Sequence, residues 1–157
     1  MRVEIRGLEE GDIRQVASII RGLPEWFTPQ AHEQVTRDAA RMHGYVALHQ
    51  GRIVGFMLLE ERECCMEIAW MAVERRHHGK GVGRRLIEEA AGYACRRGKR
   101  VLTVKTYGGG DYEPYQRTLN FYKSNSFKLY EIIDNYTGFQ GQPAAILIKP
   151  LDCAVLQ

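Results

Sequence analysis

Arg76-His77-His78-Gly79-Lys80-Gly81-Val82-Gly83-Arg84-Arg85 is the stretch of this chain whose residue types and spacing bear most directly on chemistry. It lies between an apolar segment, Met66 to Val73, that reads as a strand, and an amphipathic segment, Val82 to Arg97, that reads as a helix. Three alternate glycines at the start of a helix present a row of backbone N–H groups to one point. The helix N-terminus adds its own unpaired N–H groups and the positive end of its dipole. The product is an anion site, and phosphate is its usual occupant. A second group is Glu67, the one charged residue inside the apolar strand segment. A carboxylate in such a setting is a candidate general base.

Two phosphate motifs fail on spacing. A Walker loop needs Ser or Thr after Gly-Lys, and here Gly81 follows Lys80. A dinucleotide fingerprint counted from Gly79 needs a third glycine where Arg84 stands, and counted from Gly81 it needs one at Leu86. The spacing that fits is Arg/Gln-x-x-Gly-x-Gly/Ala, with Arg76, Gly79 and Gly81 in the fixed places. It resembles the acyl-CoA-binding motif of the Gcn5-related N-acetyltransferase (GNAT) superfamily. A later block, Tyr115 to Phe127, is similar to that family's second signature, N-x-x-A-x-x-x-Y-x-x-x-G-F. Tyr122 falls on the tyrosine and Phe127 on the closing aromatic, while Tyr115, Thr118 and Ser126 depart from the Asn, Ala and Gly.

The resemblance implies acetyl-CoA as co-substrate, with no metal, and transfer of its acetyl group to a primary amine by direct attack. His78, Gly79, Lys80, Gly81, Val82, Gly83 and Arg84, with Arg76, would hold the pyrophosphate. Met71, Ala72 and Val73 would offer backbone groups to the pantetheine arm in a gap opened beside their strand. An amine with a pKa near ~10.4 must lose a proton before it attacks, and the leaving thiolate must gain one. Glu67 would act as base through water, and Tyr122 as acid. Tyr115 in place of Asn puts one pantetheine-side hydrogen bond in question, and Ser126 in place of Gly a left-handed turn. The acceptor would be a small-molecule amine or a peptide. A non-catalytic acyl-CoA sensor on the same fold is the alternative.

These groups need elements to position them. The pattern predicts a strand at Val3–Arg6, a helix from Ile13 capped by Asp12, and a second helix from Thr28-Pro29 to about Met42. Tyr45–Leu48 and Ile53–Leu59 form a hairpin through Gln50-Gly51, and Glu67–Val73 is the next strand. After the Val82 helix, stopped by Gly98, come a strand from Val101, a helix at Pro114–Ser124, and strands at Phe127–Ile133 and Ala144–Ile148. Arg85 and Glu89 sit four apart on the outer side of the Val82 helix. This order predicts an α/β fold with a mixed, mostly antiparallel central sheet and helices on both faces. It also matches the order in GNAT proteins, so the resemblance covers nearly the whole chain. The 157 residues are expected to form a single domain.

Composition excludes less. An apolar fraction of 45% and a charged fraction of 26% are those of a soluble globular protein. No apolar run approaches a membrane span, and a cytoplasmic location is the default expectation. A net charge of +3 is too mild to argue for nucleic acid. Its basic residues gather at the glycine loop, where one polyanionic ligand accounts for them. The four cysteines show neither metal nor disulfide spacing, so reduced, mostly buried thiols are expected. Trp26, Phe27, Tyr107, Tyr112, Tyr136 and Phe139 are placed in loops, where they could line an acceptor pocket, cover the core or meet a second copy in a homodimer.

Overall fold

A computed structural model describes residues 1–156. Among the described residues seven strands and four α-helices follow the expected order, and a short fifth helix that the sequence pattern did not predict closes it: β1 (Glu4–Gly7), α1 (Ile13–Arg21), α2 (Pro29–Arg41), β2 (His43–His49), β3 (Arg52–Glu61), β4 (Met66–Val73), α3 (Val82–Arg96), β5 (Val101–Tyr107), α4 (Glu113–Ser124), β6 (Lys128–Ile133), β7 (Ala144–Pro150) and α5 (Cys153–Leu156). The chain forms two compact units. The first holds Met1–Glu60 and Ile68–Tyr93; the second holds Glu61–Glu67 and the residues from Ala94 onward.

In the first unit the strand order is β1-β2-β3-β4. The Gln50-Gly51 turn closes the β2–β3 hairpin with both residues at positive φ, 53° and 77°, as a two-residue type I′ turn requires. His49 and Arg52 then pair directly across it. Side chains alternate between faces along each strand. Val46, Phe56 and Leu58 point to α1 and α2, where Val16, Ile19, Ile20, Leu23, Val35 and Ala39 complete a buried cluster. The opposite face carries α3. Gly55 sits where a Cβ would come within 3.1 Å of Val82 Cγ1, and Tyr93 stacks on His43 at 3.9 Å between ring centroids. Helices therefore cover both faces. Asp38 lies on the buried stripe of α2, yet it is satisfied. It accepts from Trp70 Nε1 at 2.8 Å and Gln34 Nε2 at 3.2 Å, and pairs with Arg41 at 3.1 Å.

Asp12 does not cap α1 as expected: its side chain makes no bond to that helix and instead closes the 3₁₀ turn Glu10–Asp12 before it. Its carboxylate accepts the Glu9 N–H at 2.8 Å and a forked pair from Arg6 at 2.7 and 3.0 Å. Arg85 likewise departs from expectation: with Arg84 it turns to Glu88, not Glu89.

In the second unit the order is β5-β7-β6, with both pairings antiparallel. α4 packs against β5 and β6. The expectation of four reduced, mostly buried thiols is corrected here. Cys95 and Cys153 form a disulfide, with Cα atoms 5.4 Å apart across 58 residues of sequence, and Cys64 is exposed. Spacing in sequence carries no sign of such a bridge. It exists because the last turn of α3 and the start of α5 meet in space.

Closing a loop of this length stabilises the folded state by about 2–4 kcal/mol. Cys153→Ser should therefore lower the unfolding midpoint, and thiol titration of the denatured, unreduced protein should count Cys64 and Cys65 alone. Four reactive thiols before reduction would show that the bridge is not formed.

Candidate functional site

The chain passes from β4 to α3 through a 3₁₀ turn, Arg75–His77, and the glycine loop. Gly79 and Gly81 have φ of 73° and 85°, and the space around each Cα is open, so glycine is required there by backbone conformation rather than crowding. The first donor of the α3 ladder is Arg85 N–H, to Gly81 O at 3.1 Å. The amides of Val82, Gly83 and Arg84 precede it and have no partner within the helix. The exposed Lys80 stands beside them, in the setting for which the spacing predicts an anion site.

The side chains around this loop divide the work differently from the sequence expectation. The Arg76 guanidinium pairs with Glu74, and Arg84 with Glu88 at 3.3 Å. His78 Nε2 donates to Val73 O at 2.6 Å while its ring meets Trp26 edge-on, so His78 contributes to the loop through its backbone. That bond also engages one of the strand carbonyls at Met71, Ala72 and Val73. Arg75, which the spacing left unassigned, turns away to Glu25 and the Gly22 carbonyl.

The second unit contains Glu67 and Tyr122. Glu67 is 7% exposed and tightly held. Its Oε1 accepts from Arg62 Nε at 3.0 Å and Nη2 at 2.7 Å, and its Oε2 accepts from Lys105 Nζ at 2.6 Å. Burial pushes its pKa up, but the bonds from Lys105 and then Arg62 outweigh burial and hold the carboxyl below its ordinary value. A carboxylate has about four acceptor positions. Three are taken, which leaves one on Oε2. Neither Arg62, in the β3–β4 turn, nor Lys105, on β5, was identified from sequence. Lys105 alternates with apolar neighbours in Val101–Tyr107, and that pattern is the one signal that could have marked it.

Tyr122 is buried near the end of α4, with its ring edge-on to Phe121 and Phe127 at 5.2 Å each. The end of α4 explains its placement. Phe127 N–H bonds to Tyr122 O and Ser126 N–H to Lys123 O, at 3.0 and 3.1 Å, the paired bonds of a Schellman motif with its apolar contact. Ser126 takes the left-handed position with φ 70°. Burial alone raises the Tyr122 pKa well above that of a free phenol, so the hydroxyl keeps its proton. Tyr115, in place of the signature Asn, is instead one layer of an aromatic stack. Its ring lies 4.5 Å from Tyr107, which in turn stacks on Phe139 at 4.4 Å. Tyr112 and Tyr136 meet this stack edge-on. Trp26 and Phe27, by contrast, pack on the core of the first unit.

Residues 40–129 match the family model described as an acetyltransferase (GNAT) domain. The chain belongs to the GNAT acetyltransferase family. The match spans Glu67, the glycine loop and Tyr122. Among solved structures, the ribosomal-protein-S18-alanine N-acetyltransferase of Escherichia coli is similar with a TM-score of 0.77 and 19% identity, over 96% of this chain and 94% of that one. The PaiA N-acetyltransferase of Thermoplasma acidophilum, solved in complex with coenzyme A, gives 0.74 and 18%, over 96% and 99%. An IAA acetyltransferase from Bacillus cereus gives 0.74 and 23%, over 96% and 100%. At these identities the likeness is one of fold. A search of curated protein sequences found no match. Among the described residues no helix is long and apolar enough to cross a membrane, and no group of three or more His, Cys, Asp or Glu side chains could hold a metal ion.

Two stability tests follow. A depressed carboxylate pKa stabilises the fold above the unfolded value of roughly 4.3, and that contribution is lost as pH falls through the folded value. Glu67→Gln should cost about 2 kcal/mol at neutral pH and flatten the acid side of the stability profile, measured by denaturant unfolding across pH. An unchanged profile would mean that the ion pairs contribute nothing. Ser126→Gly should raise stability by about 1 kcal/mol in the same assay, because glycine takes the left-handed position without strain. A loss on that change would place the main role of Ser126 in its side chain.

Proposed function

We propose that this protein is an acetyl-CoA-dependent N-acetyltransferase acting on a primary amine of a small molecule or a peptide. The observation that carries the proposal is the start of α3, where left-handed Gly79 and Gly81 precede the amides of Val82, Gly83 and Arg84 that have no partner within the helix, in a chain of the GNAT family. Acetyl-CoA, when bound, supplies an activated acetyl group as a thioester. In this reading the loop amides and Lys80 take its pyrophosphate, and Arg76 supplies long-range positive charge. The backbone of Met71, Ala72 and Val73 pairs with the pantetheine arm by strand-like hydrogen bonds.

The proton work falls to Glu67 and Tyr122. Lys105 and Arg62 keep Glu67 ionised down to acid pH and leave one acceptor position on Oε2. Glu67 therefore acts through a water lodged there, and it is a weak base that trades strength for constant charge. Tyr122 remains protonated throughout the working range. It donates a hydrogen bond to the sulfur as charge builds there, and serves as the acid once the thiolate needs a proton. The structural likeness to an enzyme that acetylates a ribosomal-protein alanine supports a peptide acceptor no more than a small one, because it is a likeness of fold.

Acetyl-CoA should raise the unfolding midpoint of the purified protein, and Gly81→Val should remove most of that gain. In an assay of CoA release with a working amine, Tyr122→Phe should lower turnover ~10²-fold or more at nearly unchanged affinity. Glu67→Gln should be most defective at low pH and approach the wild type at high pH, where the amine is already neutral. A wild-type pH–rate profile for Glu67→Gln would leave water or a backbone carbonyl as the base. No binding of CoA at millimolar concentration would overturn the proposal.

A further inference from the structure

The acetyl-transfer reading leaves two nucleophiles unused, the thiols of Cys64 and Cys65 in the turn between β3 and β4. Cys64 is exposed and Cys65 half-buried. Their sulfur atoms lie 3.1 Å apart, with the Cys64 thiol donating to Cys65 Sγ. The turn that presents them is anchored. Arg62 N–H bonds to Cys65 O at 2.8 Å and closes it. Arg97 forks onto the Glu61 carboxylate at 2.7 and 3.4 Å, and Lys99 Nζ donates to Glu63 O at 3.0 Å. Two thiols held in contact on an anchored turn have a high effective concentration toward each other.

Geometry separates this pair from the other two cysteines. A disulfide ordinarily joins Cα atoms roughly 4.4–6.8 Å apart. The Cys95–Cys153 bridge, at 5.4 Å, falls in that range. Cys64 and Cys65 are joined by a trans peptide, across which Cα atoms are only about 3.8 Å apart. A bond between their sulfurs closes a strained ring, and strained, exposed disulfides are the ones readily reduced again. The pair is suited to reversible oxidation rather than to a permanent cross-link. Reactivity divides between the two thiols. Burial first, then the hydrogen bond from Cys64 and its charge, push the Cys65 thiol up to about 11. Cys65 therefore stays protonated while Cys64, open to solvent, meets the oxidant. Once Cys64 is capped, its hydrogen bond and charge no longer hold the proton on Cys65, and the second sulfur is released to attack.

We propose that Cys64 and Cys65 form a redox-sensitive dithiol that a low-molecular-weight disulfide converts reversibly to a vicinal disulfide. The Cys64 thiolate attacks one sulfur of the small disulfide, breaks its S–S bond and forms a mixed disulfide. The released thiolate takes up the proton that Cys64 gave up. Cys65 sulfur then attacks Cys64 sulfur, the Cys64–Cys65 bond forms, and the second small thiol leaves with the Cys65 proton. The two cysteines give up two electrons and two protons, and the small disulfide becomes two thiols. This chemistry does not rest on the acetyltransferase reading, although the same turn carries Arg62, which holds Glu67.

The test uses the full chain, with its Cys95–Cys153 bridge intact, and glutathione disulfide in excess as probe. Free thiols are counted over time, and the tryptic peptide Glu63–Arg75 is weighed by mass spectrometry. The wild type should lose both free thiols, and the peptide should lose two hydrogens and carry no glutathione. A mild thiol reductant should restore both thiols while the other bridge survives. Cys65→Ser should stop at the mixed disulfide and keep one glutathione on Cys64. Cys64→Ser should react ~10-fold or more slowly than the wild type, because Cys65 is half-buried and held protonated. Both changes replace sulfur by oxygen in a surface turn and leave the core untouched. A wild-type chain that retains a glutathione adduct, keeps both thiols free, or couples to a second chain through Cys64 overturns the proposal, whether or not CoA binds.

Discussion

Eight residues, 74–81, separate the last residue of β4 from the first of α3, and their backbone must leave a helix N-terminus open. That requirement constrains everything nearby. Gly79 and Gly81 meet it with left-handed conformations that other residues adopt at a cost. Val82, immediately after, is buried against the sheet beside Gly55, so the open amides are attached to a rigid element. The charged side chains of the turn are then held off the amides. Arg75 is drawn to Glu25, Arg76 to Glu74 and His78 to the Val73 carbonyl, so these three side chains are engaged away from the loop's backbone.

The second unit meets a different constraint, that of keeping two ionisable groups in fixed protonation states under cover. Glu67 is held charged by two cations in a buried setting, where loss of either partner would leave an uncompensated charge. Tyr122 is held neutral by burial alone. Opposite environments thus drive two acids to opposite states. The Schellman turn at Ser126 ties the tyrosine to Phe127, and the turn after β3 carries Arg62 to Glu67. Both groups depend on how a regular element ends.

Much of this was legible in the sequence. The element order follows from hydrophobic period, from Gln50-Gly51 as a hairpin turn and from Gly98 as a helix stop, because these signals are local. The conformation of the glycine loop was legible for the same reason: glycine spacing reports left-handed backbone directly, and Gly79 and Gly81 adopt it. What could not be read depends on distance along the chain. The Cys95–Cys153 bridge and the Lys105–Glu67 pair each arise from elements brought together only on folding. Ser126 is the instructive intermediate. The departure from glycine suggested a lost left-handed turn, yet the chain keeps the turn, because the closing bonds and the Tyr122–Phe127 contact offset the strain.

The central claim is that the loop's backbone amides form the cofactor's phosphate site. Backbone NMR of the protein during a titration with CoA reads those amides one by one. The account predicts that the signals of Gly79, Gly81, Val82, Gly83 and Arg84 shift together and saturate with one CoA per chain. If CoA binds while these amides stay unmoved, the phosphate site lies elsewhere and the account is wrong.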